Sequence, residues 1–151
     1  MYLRPEINMK QLTFLFFCLL SLGVFQLHAQ NKVQQKLPEK TRILFLLDGS
    51  GSMEGIWEGK ESRMEIAKKI LTKLVDSLRA NQNLELALRV YGHRFNRSAN
   101  NCQDTQLEVP FGAKNHNTII NKLKDITPRG TTPITYSLQQ AYKIFRQHLV
   151  S

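Results

Sequence analysis

The chain has 151 residues, 42% of them hydrophobic and 22% charged, a composition that suits one compact domain. Its two cysteines and four histidines exclude a disulfide-rich scaffold and a zinc-finger array, because both need many more cross-linking or metal-binding side chains. The 21 Lys and Arg exceed the 12 Asp and Glu, for a formal net charge of +9. Because the positive residues are scattered and form no basic face with interleaved aromatics, we expect no nucleic-acid binding.

The N-terminal segment has the pattern of a secretory signal peptide. Lys10 is followed by an almost wholly apolar run from Leu12 to Leu27, and we expect cleavage after Ala29. The run is shorter than the roughly 20 residues that cross a bilayer, which makes a membrane anchor the less favoured alternative. We therefore predict a signal peptide at 1–29, a polar leader at 30–40 and a domain at 41–151. The exported product would be periplasmic or extracellular, with no membrane span.

The first half of the domain predicts a strand, a helix and a second strand. The apolar run Arg42–Leu47 ends at a glycine-rich turn, which indicates a strand buried on both faces. The segment Ser62–Arg79 has apolar residues at helical spacing and a capping box formed by Ser62 and Glu65. Alternating apolar residues over Leu84–Tyr91 predict a half-buried strand.

The second half predicts one more strand and two helices. Gln106–Phe111 suits a short edge strand stopped by Pro110, and Asn117–Ile126 suits a helix. A last helix is expected from Pro133 to about Val150. This order indicates an α/β sandwich whose strand ends share a loop-built edge, although an α/β domain with two or three strands looks incomplete. The histidines His93, His116 and His148 show no metal-ligand spacing and are expected on loops or helix surfaces.

The turn after the first strand carries the most informative chemistry. Asp48, Ser50 and Ser52 alternate with two glycines, so one carboxylate and two hydroxyls can converge. Oxygen donors of this kind suit Mg²⁺, and also Mn²⁺ or Ca²⁺. With one formal negative charge the site would bind a cation weakly, and an incoming acidic ligand could supply a further oxygen.

This turn is open to several other interpretations. It could be an ordinary solvated turn between a strand and a helix. An EF-hand loop is excluded because Met53 and Gly59 stand where Gly and Glu are required. A nucleophile elbow and a phosphate-binding P-loop do not fit these residues. A cation-dependent phosphohydrolase using Asp48 as nucleophile remains an alternative, although no general acid is evident for it.

The strand Ile43–Leu47 followed by Asp48-Gly49-Ser50-Gly51-Ser52-Met53 resembles the first metal-site loop of von Willebrand factor type A domains. The segment Gly130-Thr131-Thr132-Pro133-Ile134 is similar to the second loop of that family. Leu88–His93 and Asn101–Thr105 look like a bacterial exported branch of it. The resemblance covers about Thr41 to Val150 and implies a Rossmann-like three-layer sandwich with a mainly parallel sheet flanked by helices.

The resemblance also implies a role for each site residue. Ser50 and Ser52 would bind the cation directly, Asp48 would hold it through water, and Thr132 would bind from the second loop. A helix cap is the alternative role for Thr132. The implied function is metal-dependent, adhesion-type protein binding without catalysis, in which the cation bridges to an acidic residue of a partner protein. A truncated domain with an inactive metal site is a further alternative.

The resemblance is incomplete at the C-terminus. The family's third metal loop carries an Asp after a later strand, and the sequence ends before such a strand, so we expect a fragment of a longer protein. Missing strands would leave Ile119, Leu138 and Phe145 poorly covered. Cys102 would then have lost a disulfide partner with the missing segment, the alternative being an inert buried thiol.

Overall fold

A computed structural model describes residues 40–149, with side chains described up to residue 147. The predicted signal peptide and all but the last residue of the predicted leader lie outside this range, as does the side chain of His148. The strands are β1 (Thr41–Asp48), β2 (Ile56–Glu58), β3 (Glu61–Ser62), β4 (Leu84–Tyr91) and β5 (Thr105–Gly112). The helices are α1 (Arg63–Ser77), α2 (His116–Asp125) and α3 (Ile134–Leu149), with short 3₁₀ helices at Gly51–Glu54 and Arg97–Ala99.

The main sheet has the strand order β1, β4, β5. β1 and β4 are parallel and in continuous register from the Thr41–Leu84 pair to the Asp48–Tyr91 pair, and the crossover between them contains α1. β5 is antiparallel to β4. The described sheet is therefore mixed, and the ends of β1 and β4 meet at one edge.

The burial of the two parallel strands is the reverse of the sequence-based expectation. β4 lies between two neighbours and is almost completely buried, whereas β1 is at the edge of the described sheet and is mostly half-buried. Charged residues at positions 85 and 89 predict a face exposed to water. Instead Arg89 is buried, with Nη1 donating to Thr105 Oγ1 at 3.3 Å, and Glu85 pairs with Lys40 and Arg42.

Helices pack on both faces of the sheet. Leu86, Leu88 and Val90 of β4 point into a core that they share with Val75 of α1 and with Ile119 and Leu123 of α2. The alternate residues Ala87 and Arg89 are buried on the opposite face. There α3 contributes Ala141 and the Phe145 ring, whose centroid is 5.3 Å from that of Phe111 in β5. The three-layer α/β class is thus confirmed.

The helix and edge-strand predictions are confirmed with one correction. The Ser62 hydroxyl accepts the Glu65 backbone N–H at 3.2 Å, and the Glu65 carboxylate accepts the Ser62 N–H at 2.6 Å, which completes the capping box. Pro110 does not stop β5, which continues to Gly112. A register irregularity between Leu86 and Leu88 and the position at the sheet edge accommodate the missing N–H of proline.

Apolar side chains remain exposed on the outer side of α3. Leu138 is 54% exposed, as expected. Ile134 and Tyr142 are also exposed. The same expectation is wrong for Ile119, which is fully buried because α2 packs against α1 and β4. None of the helices in residues 40–149 combines the length and apolar character that a bilayer crossing requires.

Candidate metal centre

The loop after β1 brings the first three predicted ligands together. The Ser50 backbone N–H donates to Asp48 Oδ1 at 2.7 Å, which folds the turn back onto the carboxylate. The hydroxyl oxygens of Ser50 and Ser52 lie 3.1 Å apart. Ser50 is only 1% exposed, whereas Ser52 is exposed on the 3₁₀ helix Gly51–Glu54. The loop therefore gathers a carboxylate and two hydroxyls at one edge of the sheet.

The loop before α3 is hydrogen-bonded to this first loop. The Gly51 N–H donates to the Gly130 carbonyl at 3.0 Å, and the Arg129 N–H donates to the Gly49 carbonyl at 3.1 Å. Ser50 and Gly130 accordingly form an isolated parallel bridge. Because these bonds join backbone to backbone, the separation of the two loops depends little on the conformations of their side chains.

Ser52 and Thr132 line one cavity of about 150 Å³ between the two loops, together with Arg97, Gly130 and Thr131. The two neighbouring threonines differ in their hydrogen bonds. The Thr131 hydroxyl donates to the Asn101 carbonyl at 2.7 Å. The Thr132 hydroxyl bonds to no residue in the described part of the chain, so neither the helix-cap role nor another local bond occupies it. The structure thus brings all four predicted ligands to the same edge.

Two residues that sequence reasoning did not select hold the loops in place. Asp104 is 1% exposed, and its Oδ2 accepts the N–H groups of Arg94 at 3.1 Å and Phe95 at 3.3 Å. Gly92 has a φ of +70°, donates its N–H to the Asp104 carbonyl at 2.9 Å and accepts the Gly130 N–H at 2.7 Å. The quoted motif segments contain both residues, but a polar loop pattern does not reveal that one carboxylate is buried.

The electrostatics around Asp48 favour a single negative charge at the site. Tyr91 is the register partner of Asp48 at the end of β4. Burial raises the pKa of Tyr91 to about 12, and the charge of Asp48 acts in the same direction. A phenol is neutral at physiological pH even at its ordinary pKa, and this shift acts in the same direction, so Tyr91 adds no second anion beside the carboxylate.

A polar cluster around the buried carboxylate of Glu108 lies behind the first loop. His93 Nε2 is 2.8 Å from Glu108 Oε1, and Lys122 Nζ is 2.9 Å from Glu108 Oε2. A Cβ on Gly49 would lie 2.7 Å from the Cβ of His93, so His93 supports the loop directly. His93 lies on a loop, as expected, but its side chain is largely buried against Glu108. His116 is in α2 and is buried, which corrects the expectation that it lies on a loop or a helix surface.

The chemistry of the donor set fits a hard divalent cation. One carboxylate and three hydroxyl groups offer only oxygen ligands, as Mg²⁺ and Mn²⁺ prefer. No cluster of three or more His, Cys, Asp and Glu residues that could hold a metal occurs within the described range. The candidate centre therefore depends on Ser50, Ser52 and Thr132 rather than on accumulated charge. Cys102 is exposed near this edge, with its sulfur 3.8 Å from the Asn100 carbonyl oxygen.

Two proteins of Bacillus subtilis (strain 168) are similar to this chain. Uncharacterized protein YwmD is 33% identical over 109 residues, which cover 70% of this chain and 47% of YwmD. Uncharacterized protein YwmC is 28% identical over 123 residues, which cover 79% of this chain and 53% of YwmC. The chain thus spans about half the length of the curated relatives it matches.

Solved structures with similar folds include domains of pilus proteins. The PilB minor pilin from Streptococcus sanguinis aligns with a TM-score of 0.57 and 21% identity over 77% of this chain and 28% of PilB. The vWF domain of the type V pili tip protein Mfa5 from Porphyromonas gingivalis aligns with a TM-score of 0.55 and 18% identity over 73% of this chain and 34% of that one. Conserved hypothetical protein BatB from Bacteroides thetaiotaomicron aligns with a TM-score of 0.52 and 24% identity, covering 69% of this chain and 45% of BatB.

At these identities the structural likeness concerns the fold. The family assignment comes from the sequence, because the model of the von Willebrand factor type A domain matches residues 43–149. The matched range contains β1 from Ile43 onward, both loops of the candidate centre and α3. The chain belongs to the von Willebrand factor type A domain family.

Proposed function

We propose that this chain is an exported protein-binding domain of the adhesion type. In this proposal a divalent cation, Mg²⁺ or else Mn²⁺ or Ca²⁺, is held by Asp48, Ser50, Ser52 and Thr132. The cation bridges to an acidic residue of a partner protein. The observation that carries the proposal is the convergence of the two loops. The Ser50 and Ser52 hydroxyls are 3.1 Å apart, and Ser52 shares its cavity with the unbonded hydroxyl of Thr132.

Each residue has a distinct part in the proposed binding. Ser50 and Ser52 offer their hydroxyl oxygens from the first loop, and Thr132 offers its hydroxyl from the second. Asp48 supplies the negative charge and orients the turn by accepting the Ser50 N–H. A cation bound here would offer an open coordination position to an anionic oxygen. Because a single carboxylate leaves excess positive charge at such a centre, an acidic partner residue is the favoured ligand.

Two further observations support this class of function. The Mfa5 tip protein and the PilB minor pilin have folds similar to that of this chain, and both are pilus proteins. This agrees with export and surface binding. A phosphohydrolase at Asp48 would need a general acid and a lysine to anchor the phosphate. The residues that line the cavity are Ser52, Arg97, Gly130, Thr131 and Thr132. Arg97 could anchor a phosphate, but no general acid is among them. We therefore favour binding over catalysis.

The test is a calorimetric titration of Mg²⁺ and Mn²⁺ into the full chain and two single variants. Ser52→Ala removes one proposed ligand, and Ser98→Ala removes an exposed hydroxyl from the nearby 3₁₀ helix Arg97–Ala99. We expect binding by the native chain and by Ser98→Ala, and at least a tenfold loss in Ser52→Ala. Circular dichroism must show that all three proteins are folded. A folded native chain that binds neither cation would refute the metal-dependent proposal.

A further inference from the structure

The cavity between the two loops carries a positive charge that the candidate ligand set does not explain. Its lining consists of Ser52, Arg97, Gly130, Thr131 and Thr132. None of these residues is acidic, and Arg97 is the one that carries a formal charge. A cavity meant for a cation alone would gain nothing from an adjacent guanidinium, because like charges repel. The lining therefore indicates that an anion binds beside the candidate metal centre.

Arg97 is available for such an anion. The residue is exposed, and in the described part of the chain its guanidinium makes no hydrogen bond or ion pair. The neighbouring Arg94 differs, because its guanidinium lies 5.4 Å from the centroid of the Phe95 ring and does not line the cavity. An arginine that faces a cavity without a carboxylate partner retains all its donors for a ligand.

The backbone around Arg97 is held against the second loop. The Asn100 N–H donates to the Arg97 carbonyl at 3.0 Å, and Asn100 adopts a left-handed conformation with a φ of 46° that ends the short helix. The next carbonyl, that of Asn101, accepts the Thr131 hydroxyl at 2.7 Å. The backbone of Arg97 is thus held near Thr131 and the adjacent Thr132 by local hydrogen bonds.

We propose that Arg97 is a second anchor for the acidic residue of the partner protein, so that one carboxylate binds both the cation and this guanidinium. This inference rests on the proposed function and assigns a specificity residue to the same site. A carboxylate has two oxygens, and the planar guanidinium presents paired N–H donors that match them. The partner that fits is an acidic protein segment whose carboxylate enters the cavity.

The arrangement couples the cation to the carboxylate. Without a ligand, the charge of Arg97 opposes cation binding; with a carboxylate between them, each positive centre strengthens the binding of the anion. Arg97→Ala should therefore raise the affinity for Mg²⁺ by about two- to tenfold in a buffer without carboxylates. The same variant should lower the affinity for a carboxylate by about tenfold or more.

The experiment uses acetate as the probe and the full chain in a Tris chloride buffer. NMR follows the arginine Nε–Hε signals and the backbone amide of Thr132 during acetate titrations with and without Mg²⁺. We expect saturable shifts of Arg97 and Thr132 in the native chain, tighter with Mg²⁺, and an unchanged titration in the matched control Arg94→Ala. Arg97→Lys keeps the positive charge but removes the paired N–H donors of the guanidinium. This variant should therefore retain weak Mg²⁺ binding and lose most of the acetate affinity.

Acetate titrations that are equal in the native chain and in Arg97→Ala, with Mg²⁺ binding intact, would overturn the role of Arg97 and leave the proposed function standing. Failure of the native chain to bind Mg²⁺ would refute the proposed function. In that case metal-free acetate binding that disappears in Arg97→Ala would still support an anion site, and its absence would overturn the site as well. Equal losses of acetate affinity in Arg97→Ala and Arg94→Ala would show that net charge alone causes the effect, and would also overturn the role of Arg97.

Discussion

Replacing Gly92 by alanine places a methyl group where the two site loops meet. Gly92 has a φ of +70°, and a Cβ built on it would lie 2.2 Å from the Thr131 carbonyl oxygen and 3.0 Å from the Ser50 nitrogen and Cα. All these atoms belong to the backbone, so no change of rotamer relieves the contact. Because Ser50 lies in one loop and Thr131 in the other, the methyl group must push the loops apart.

The expected cost of Gly92→Ala has two parts. A residue with a Cβ pays about 1–2 kcal/mol in the left-handed conformation. An overpacked contact that the backbone must absorb adds about 1–3 kcal/mol. The total of about 2–5 kcal/mol is a large part of the 5–15 kcal/mol that stabilises a typical domain. We expect the variant to lose cation binding even where it remains folded, since Ser50 and Thr132 would separate.

Gly59 provides the matched control for this prediction. Its φ is +59°, and no heavy atom of the described chain outside its immediate neighbours lies within 4 Å of the position that a Cβ would take. Gly59→Ala should therefore pay only the conformational cost, about 1–2 kcal/mol. Urea denaturation followed by circular dichroism measures both variants, and calorimetry measures their Mg²⁺ binding. Equal destabilisation of the two variants would refute the inferred clash between the loops.

Three further predictions concern stability. Leu88→Ala, in the buried centre of β4, should cost about 2–5 kcal/mol of folding stability. Leu138→Ala, on the exposed side of α3, should change stability by less than about 0.5 kcal/mol. Similar losses of the two variants in urea denaturation would contradict the burial assigned to β4. Ser62→Ala removes the acceptor for the first turn of α1 and should cost about 1 kcal/mol, and an unchanged urea midpoint would show that the capping box contributes nothing. Burial alone would raise the pKa of Glu108, but hydrogen bonds from Lys122 and the neighbouring histidine hold it below its ordinary value. A carboxyl with a lowered pKa in the folded state contributes stability above its unfolded pKa of about 4.3 and loses it as pH falls through the folded pKa. The advantage of the native chain over Glu108→Gln should therefore be full at pH 7 and shrink below about pH 4.5, and a difference that stays constant from pH 7 to pH 3 would argue against the ion pair.

Local sequence features predicted the helices and strands well. The capping box placed the start of α1 at Ser62, and the structure contains both of its hydrogen bonds. Helical spacing located α2 to within one residue at each end. These features depend on neighbours along the chain, which is why a single sequence is sufficient to identify them.

Burial was harder to predict, because it depends on what packs over a residue. The charges of Glu85 and Arg89 made β4 look half-exposed, but β4 lies between β1 and β5 with helices on both faces. β1 is more continuously apolar and yet is an edge strand of the described sheet. Which strand is central follows from pairing, which residue composition does not encode directly.

The candidate site also combines local features that the sequence predicts with tertiary contacts that it does not. The alternation of Asp48, Ser50 and Ser52 with glycine after an apolar strand was enough to predict an oxygen-rich turn, and the resemblance of Thr132 to a second-loop ligand directed attention to the loop before α3. The tertiary structure decided that Thr131 is bonded to Asn101 while the hydroxyl of Thr132 is free of described partners. It also decided that Arg97 lines the cavity and that Asp104 is buried beneath the loops. The sequence alone determined which residues form each turn, because turn chemistry is local; the structure determined which turns meet, because that depends on contacts between segments far apart in the chain.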